Sequence, residues 1–247
     1  MTGLITAEQR RLQTRRWPMT GLIASEWLKI RSLRSSWWTL GLTAAAVVAA
    51  SAIDGDDAFP LAGYLVLIVA AAGSGASAMV GEYSSGLIRA TAVAVPARSE
   101  VVLAKAVVVA ALWTVVSTAI AAASYTVATP ADPVGAAEMF GAILVGPACA
   151  LVGLGLAVLL RHAGVAYVTG ILLLVAAPQL LTGDHPVTRA IHHAMIVPGW
   201  QRLTLAYGSP ESVGDLYPTP TAAWLAYLLW PLAVLAIASL VHRRRDV

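Results

Sequence analysis

Six stretches of this chain contain no Asp, Glu, Lys or Arg, and that pattern constrains its fold more than any motif does. They are Trp37–Ile53, Ala58–Val80, Ala106–Ala131, Met139–Leu160, His162–Gly183 and Leu216–Val241. A helix that crosses a bilayer needs about 20 apolar residues, because the hydrocarbon core is about 30 Å thick and each residue rises 1.5 Å. All six runs are rich in Ala, Leu, Val and Gly, and none alternates polar and apolar residues as a barrel strand must. The remainder is too poor in charge to coat a soluble fold. Only 12% of the residues are charged, 58% are apolar, and the mean hydropathy is +0.75. About a quarter would be charged in an ordinary soluble domain. A soluble globular domain, a disordered chain and a nucleic-acid binder with a basic surface throughout are excluded. The expected fold is an all-α integral membrane protein, a single domain of six transmembrane helices. Their expected bounds are about 37–53, 58–80, 106–129, 139–160, 163–183 and 221–241, the last beginning after Pro218 and Pro220.

The basic residues set the expected orientation. With the N-terminus inside, the inner segments hold fourteen of the sixteen Lys and Arg, leaving only Arg189 and Arg202 outside. Asp54, Asp56, Asp57, Asp132, Glu138, Asp184, Glu211 and Asp215 all fall on the outer side. By the positive-inside rule both termini are expected in the cytoplasm of a cell whose plasma membrane the chain crosses. A cleaved signal peptide competes for the first run, since Ala50-Ser51-Ala52 resembles a cleavage site. Its 36-residue leader is too long, and cleavage would leave five helices with the charge bias reversed. Residues 1–17 are polar and expected to be flexible, and translation could start at Met1 or Met19.

Enzymes and ion-coupled carriers of the membrane place ionisable groups at membrane depth. No run carries one in its interior, and Lys105, one turn inside the third span, is expected to snorkel to the inner surface. Ala72-Gly73-Ser74-Gly75 approaches a serine-protease pattern, yet His162, the histidine nearest a span, lies at an inner end about 9 Å away in depth. Gly73 through Ala78 read instead as small residues at a close helix crossing. His185, His192 and His193 lie near Asp184 but lack the H-E-x-x-H spacing of a zinc site, so no metal is expected. Cys149 is the only cysteine and falls within a span, so no intrachain disulfide forms. Neither lysine, Lys29 or Lys105, follows a glycine, so there is no P-loop. No catalytic residue and no cofactor is expected in the chain, and energy for any transport would come from a partner.

Two cytoplasmic segments stand out. In Pro18–Ser36 the apolar residues Met19, Leu22, Ile23, Trp27, Ile30 and Leu33 fall at helical spacing. With Lys29, Arg31 and Arg34 nearby, the segment reads as an amphipathic helix over 18–36 lying at the membrane interface, or else as a basic extension of the first span. The second segment, Gly81–Glu100, is too apolar for a solvated connector: Leu87, Ile88, Val93 and Val95 need burial against lipid, the spans or another protein. Gly86 and Pro96 bracket a short helix within it.

These segments carry a resemblance. Ser25-Glu26-Trp27-Leu28-Lys29-Ile30-Arg31-Ser32-Leu33-Arg34-Ser35-Ser36-Trp37-Trp38 is similar to the N-terminal helix of export-type ATP-binding-cassette permeases, the type-2 family, as found in actinobacteria. Gly81-Glu82-Tyr83, Arg89-Ala90-Thr91 and Val95-Pro96-Ala97-Arg98 resemble that family's loop between spans two and three, and His242-Arg243-Arg244-Arg245-Asp246 its ending. The resemblance implies a permease that pairs with a second permease subunit, identical or not, and with a cytoplasmic nucleotide-binding ATPase that holds ATP and magnesium. Glu82, Tyr83, Gly86, Arg89, Pro96 and Arg98 would be its ATPase-coupling positions. Membrane lipid would be the remaining partner. Closure of the ATPases would tilt spans one, two and five, and an uncharged pathway suits an apolar or amphiphilic substrate. The segment 184–220 would be the family's outer hairpin, with Ala194–Val197, Trp200 and Tyr207 dipping into the leaflet. Its Thr188-Arg189, His192-His193 and Gln201-Arg202 are wetter than a lipid-immersed pair should be. The competing expectations are a membrane scaffold without transport activity and an ion-coupled carrier.

Overall fold

The computed structural model describes residues 19–84, 98–130, 133–182, 185–205 and 217–244. Among these residues the regular structure is helical throughout, with no strand. Helix α1 is Met19–Ser32, α2 Arg34–Asp54, α3 Leu61–Ser84, α4 Arg98–Val127 and α5 Ala136–Leu160. Helix α6 runs over Ala163–Leu180, two short helices follow as α7 (Pro186–His193) and α8 (Ile196–Leu203), and α9 is Pro220–Arg244. Six of them, α2 to α6 and α9, are long and apolar enough to cross a membrane, as the charge-free runs predict. Consecutive spans run in opposite directions, so the bundle has one end bearing Arg34, Arg98 and Arg161 and another bearing Asp54, Asp56 and Asp57. These are called the basic and acidic ends.

The spans are unequally covered. Helix α5 is central, 72% buried across its most apolar stretch, and packs on α3, α4, α6, α8 and α9. In α2 and α6 the corresponding figures are 17% and 22%, so both lie at the rim and leave apolar faces for lipid or another chain. Small residues put α5 at the centre. A Cβ on Gly75 of α3 would lie 1.9 Å from the carbonyl oxygen of Ala150, and one on Gly153 of α5 would lie 1.9 Å from that of Ala72. The two backbones therefore touch reciprocally. Association of helices in lipid relies on such close packing, because transfer from lipid to protein gains no hydrophobic free energy. Gly146 and Gly155 leave room for side chains instead, Ser117 of α4 and Val234 of α9.

Three local features shape the helices. At Leu33 the backbone is extended (φ −88°, ψ 109°), which separates α1 from α2, and the Trp37 indole donates to the Arg31 carbonyl at 3.2 Å across this break. The helix expected over 18–36 thus ends at Ser32, and Arg34 is the first residue of the spanning helix. Helix α6 widens to a π turn at Leu172–Ala176 ahead of Pro178, which has no N–H to give to the carbonyl four residues back. Arg161 ends α5 with φ 53°, and the next helix starts at Ala163, capped by the His162 imidazole, whose Nδ1 accepts from the Val165 N–H.

Candidate functional site

A cavity of about 420 Å³ lies in the basic half of the bundle, where α1, α2, α3, α4 and α6 converge. The break between α1 and α2 supplies Ile30 and Leu33, and the first turns of α2 supply Ser35, Ser36 and Thr39. The small stripe of α3 from Ala70 to Ala78 forms one wall, Trp113 of α4 and Tyr167 of α6 the others. Its described lining holds no charged side chain. The stripe read in the sequence as a close crossing therefore serves on two sides: Ala72 and Gly75 meet α5, while Gly73, Ser74 and Ser77 face the cavity.

Ser74 is committed to hydrogen bonding. Its Oγ accepts from the Trp113 indole N–H and donates to the Ala71 carbonyl at 2.9 Å. The base that a nucleophile requires is missing from this pair, and His162 caps α6 instead. The polar groups of the described lining are serine and threonine hydroxyls, the Trp113 indole and the Tyr167 phenol, set among small and aliphatic side chains.

Helix α1 differs from the amphipathic reading in how it faces. Met19, Leu22, Ile23 and Ile30 are half-buried, Trp27 and Leu28 are 40% and 62% exposed, and the one fully buried residue is Glu26. The Glu26 carboxylate bonds Lys29 on its own helix at 2.6 Å and Lys105 of α4. Lys105 consequently does not reach toward the surface; it is 1% exposed and turned to Glu26. Helical spacing places Glu26 on the same face as Met19, Leu22, Ile23 and Ile30, and a carboxylate centred on an apolar face is the signal in the sequence that marks this pair.

Of the expected coupling positions, Glu82 and Tyr83 stand in the last turn of α3 and Arg98 begins α4. Gly86, Arg89 and Pro96 lie outside the described residues. Of the expected interfacial positions, Trp27, Lys29 and Arg31 are exposed on α1 and Arg34 starts α2.

At the acidic end α7 and α8 make up most of the described part of the 184–220 segment expected as an outer hairpin, and α8 is buried in protein, between α5 and α9. Trp200 stacks on Tyr64 with ring centroids 5.1 Å apart, and Gly199 lets α8 approach Ala223. The Trp230 indole donates to the Ala194 carbonyl at 2.7 Å, fixing the turn between the two helices. Part of the polarity that is wrong for lipid is thus accounted for: His192 and Gln201 are buried in protein, while Thr188, Arg189, His193 and Arg202 are half-buried. His185 Nδ1 accepts from the Val187 N–H and caps α7. Among the described residues no group of His, Cys, Asp and Glu could hold a metal ion.

His192 is held below the ordinary histidine value by burial first and by neighbouring His193 second. The unfolded chain then binds a proton at pH values where the folded hairpin does not. Stability from this residue is complete above about pH 6.5 and is lost as pH falls through its folded value. Protection factors of the α7 and α8 amides, corrected for the intrinsic exchange rate at each pH, are expected to fall between about pH 7.5 and 5.5, and His192→Gln to flatten that dependence. An unchanged profile in the variant would assign the effect elsewhere.

No protein-family model matches the chain, and no curated protein is detectably similar to it.

Proposed function

We propose that this chain is the membrane-spanning permease subunit of an ATP-binding-cassette exporter, driven by a separate cytoplasmic ATPase. The observation that supports it most directly is the cavity lined by uncharged residues, set between the two least-covered spans. A carrier coupled to ions would need ionisable groups or unwound backbone at such a place. The described walls offer hydroxyls, an indole and aliphatic side chains, which suit an apolar or amphiphilic substrate.

In this reading the basic end faces the cytoplasm. A second permease subunit covers the apolar faces of α2 and α6, on which Trp38, Leu42, Val168 and Leu172 are exposed. Helix α1 rests at the inner interface, where Trp27 and Leu28 meet lipid. The ATPase docks on the segment between α3 and α4. Its closure tilts α2, α3 and α6 and changes the shape of the cavity, so ATP and magnesium act on the partner and no cofactor is needed here.

The test is purification of the chain from its native membrane under mild conditions, followed by identification of what accompanies it. A nucleotide-binding ATPase whose hydrolysis is stimulated in reconstituted vesicles is expected; a chain that carries none is a scaffold or a carrier of another kind. Glu82→Ala and Arg89→Ala are expected to lower the stimulated hydrolysis while leaving membrane insertion intact. If both charges are merely solvated at a helix end, stimulation will equal that of the wild type.

A further inference from the structure

An ion pair holds helix α1 to the bundle. One Glu26 carboxylate oxygen accepts from Lys105 Nζ and the other from Lys29 Nζ. Lys29 is half-exposed and forms the wet edge of the cluster, while Glu26 and Lys105 are buried. For bare attachment this is a poor choice. Apolar pairs hold buried helices equally well or better, and losing one ionic partner strands the other's charge. What an ion pair adds is direction and a single geometry.

The order of the chain gives that geometry a use. Helix α4 starts at Arg98, where the proposed coupling segment ends, and Lys105 lies about 10 Å further along the same rigid helix. On the other side of the pair, α1 ends at Ser32 after placing Ile30 in the cavity wall, and the extended Leu33 joins it to α2. The ion pair thus links the first part of α4 to the helix that supplies Ile30 to the cavity wall.

We propose that Glu26 and Lys105 are positioning residues that transmit movement of the coupling segment to α1, and through it to the cavity; this rests on the ATPase-driven reading above. The experiment uses the full permease with its co-purified ATPase in lipid nanodiscs. Spin labels at Leu28→Cys on α1 and Leu240→Cys on α9 report the position of α1 with and without trapped nucleotide, both sites being exposed. In the otherwise wild-type chain the distance is expected to shift when nucleotide is trapped. Lys105→Met should abolish that shift and reduce the ratio of stimulated to basal hydrolysis by roughly tenfold, within the usual range of coupling between sites. ATPase binding and basal hydrolysis should not change. The exchange Glu26→Lys with Lys105→Glu should restore both shift and ratio, and it keeps the test decisive should Lys105→Met fold poorly.

Retention of the ratio in Lys105→Met, a folded exchange variant that restores neither readout, or an α1 that stays still in the otherwise wild-type complex would each overturn the role while leaving the permease reading intact. A wild-type chain that binds no ATPase overturns the permease reading and this role with it.

Discussion

Gly153→Ala is expected to destabilise the bundle more than any other single methyl addition in α5. The new Cβ would lie 1.9 Å from a backbone carbonyl of α3, and a carbonyl in a helix cannot swing aside as a side chain can. Relief requires α3 and α5 to separate along their whole crossing, which withdraws the contacts of the most buried helix pair in the protein. Overpacking usually costs about 1–3 kcal/mol, and a clash with backbone on both sides belongs at or beyond the upper end. Gly75→Ala should behave alike, because its Cβ meets the Ala150 carbonyl at the same distance. Gly170→Ala is the control: nothing lies within 4 Å of its Cβ, and alanine is the better helix former. Thermal unfolding in detergent, followed by retention of the monodisperse species, ranks the three. Equal midpoints for Gly153→Ala and Gly170→Ala would mean that the helices can part without loss.

Trp200→Ala is the second large effect. The indole is fully buried and stacks on Tyr64, which in turn meets Phe59 edge-on, and its helix α8 packs on α5 and α9 at the acidic end. Truncating a buried tryptophan costs about 3–5 kcal/mol, through lost contacts and the cavity left behind. Here the loss is expected to be local first. The hairpin is joined to the spans mainly through α8, so its backbone amides should lose protection before those of α5 do. Trp200→Phe keeps the stack and should recover most of the loss, roughly within 1.5 kcal/mol of the wild type. Loss of protection in α5 at the same rate as in α8 would show instead that the acidic end is integral to the bundle.

The spans were legible because a bilayer is an uncompromising solvent. Any charge at depth is costly, so runs without charge mark the crossings whatever the packing between them. Interior arrangement was not legible in the same way. That α5 is central and α2 peripheral follows from where Gly75, Gly146 and Gly153 find partners, and all six runs share the same small, apolar composition. The hairpin shows a second limit. Polar residues such as His192 and Gln201 argue against burial in lipid but say nothing against burial in protein, and α8 is buried in protein. Glu26 shows a third. Spacing sets its carboxylate on the apolar face of α1, but the cation that makes such burial tolerable comes from a distant helix and shows only in the tertiary structure. The cavity was readable only in part: the small residues 73–78 were visible, but the break at Leu33 and the reach of Tyr167 came from tertiary structure.

The seat of α8 also says something about time. A chain threaded into a membrane from its N-terminus delivers α8 before α9 exists, yet one wall of the pocket that receives α8 is α9 itself, through Ala223 and its neighbours. Until α9 is in place Trp200 and Gln201 can have only part of their final surroundings, so the acidic end is closed from behind, by a helix that arrives after the one it covers. A chain stopped short of Pro220 would hold five spanning helices and an α8 that lacks one wall of its seat.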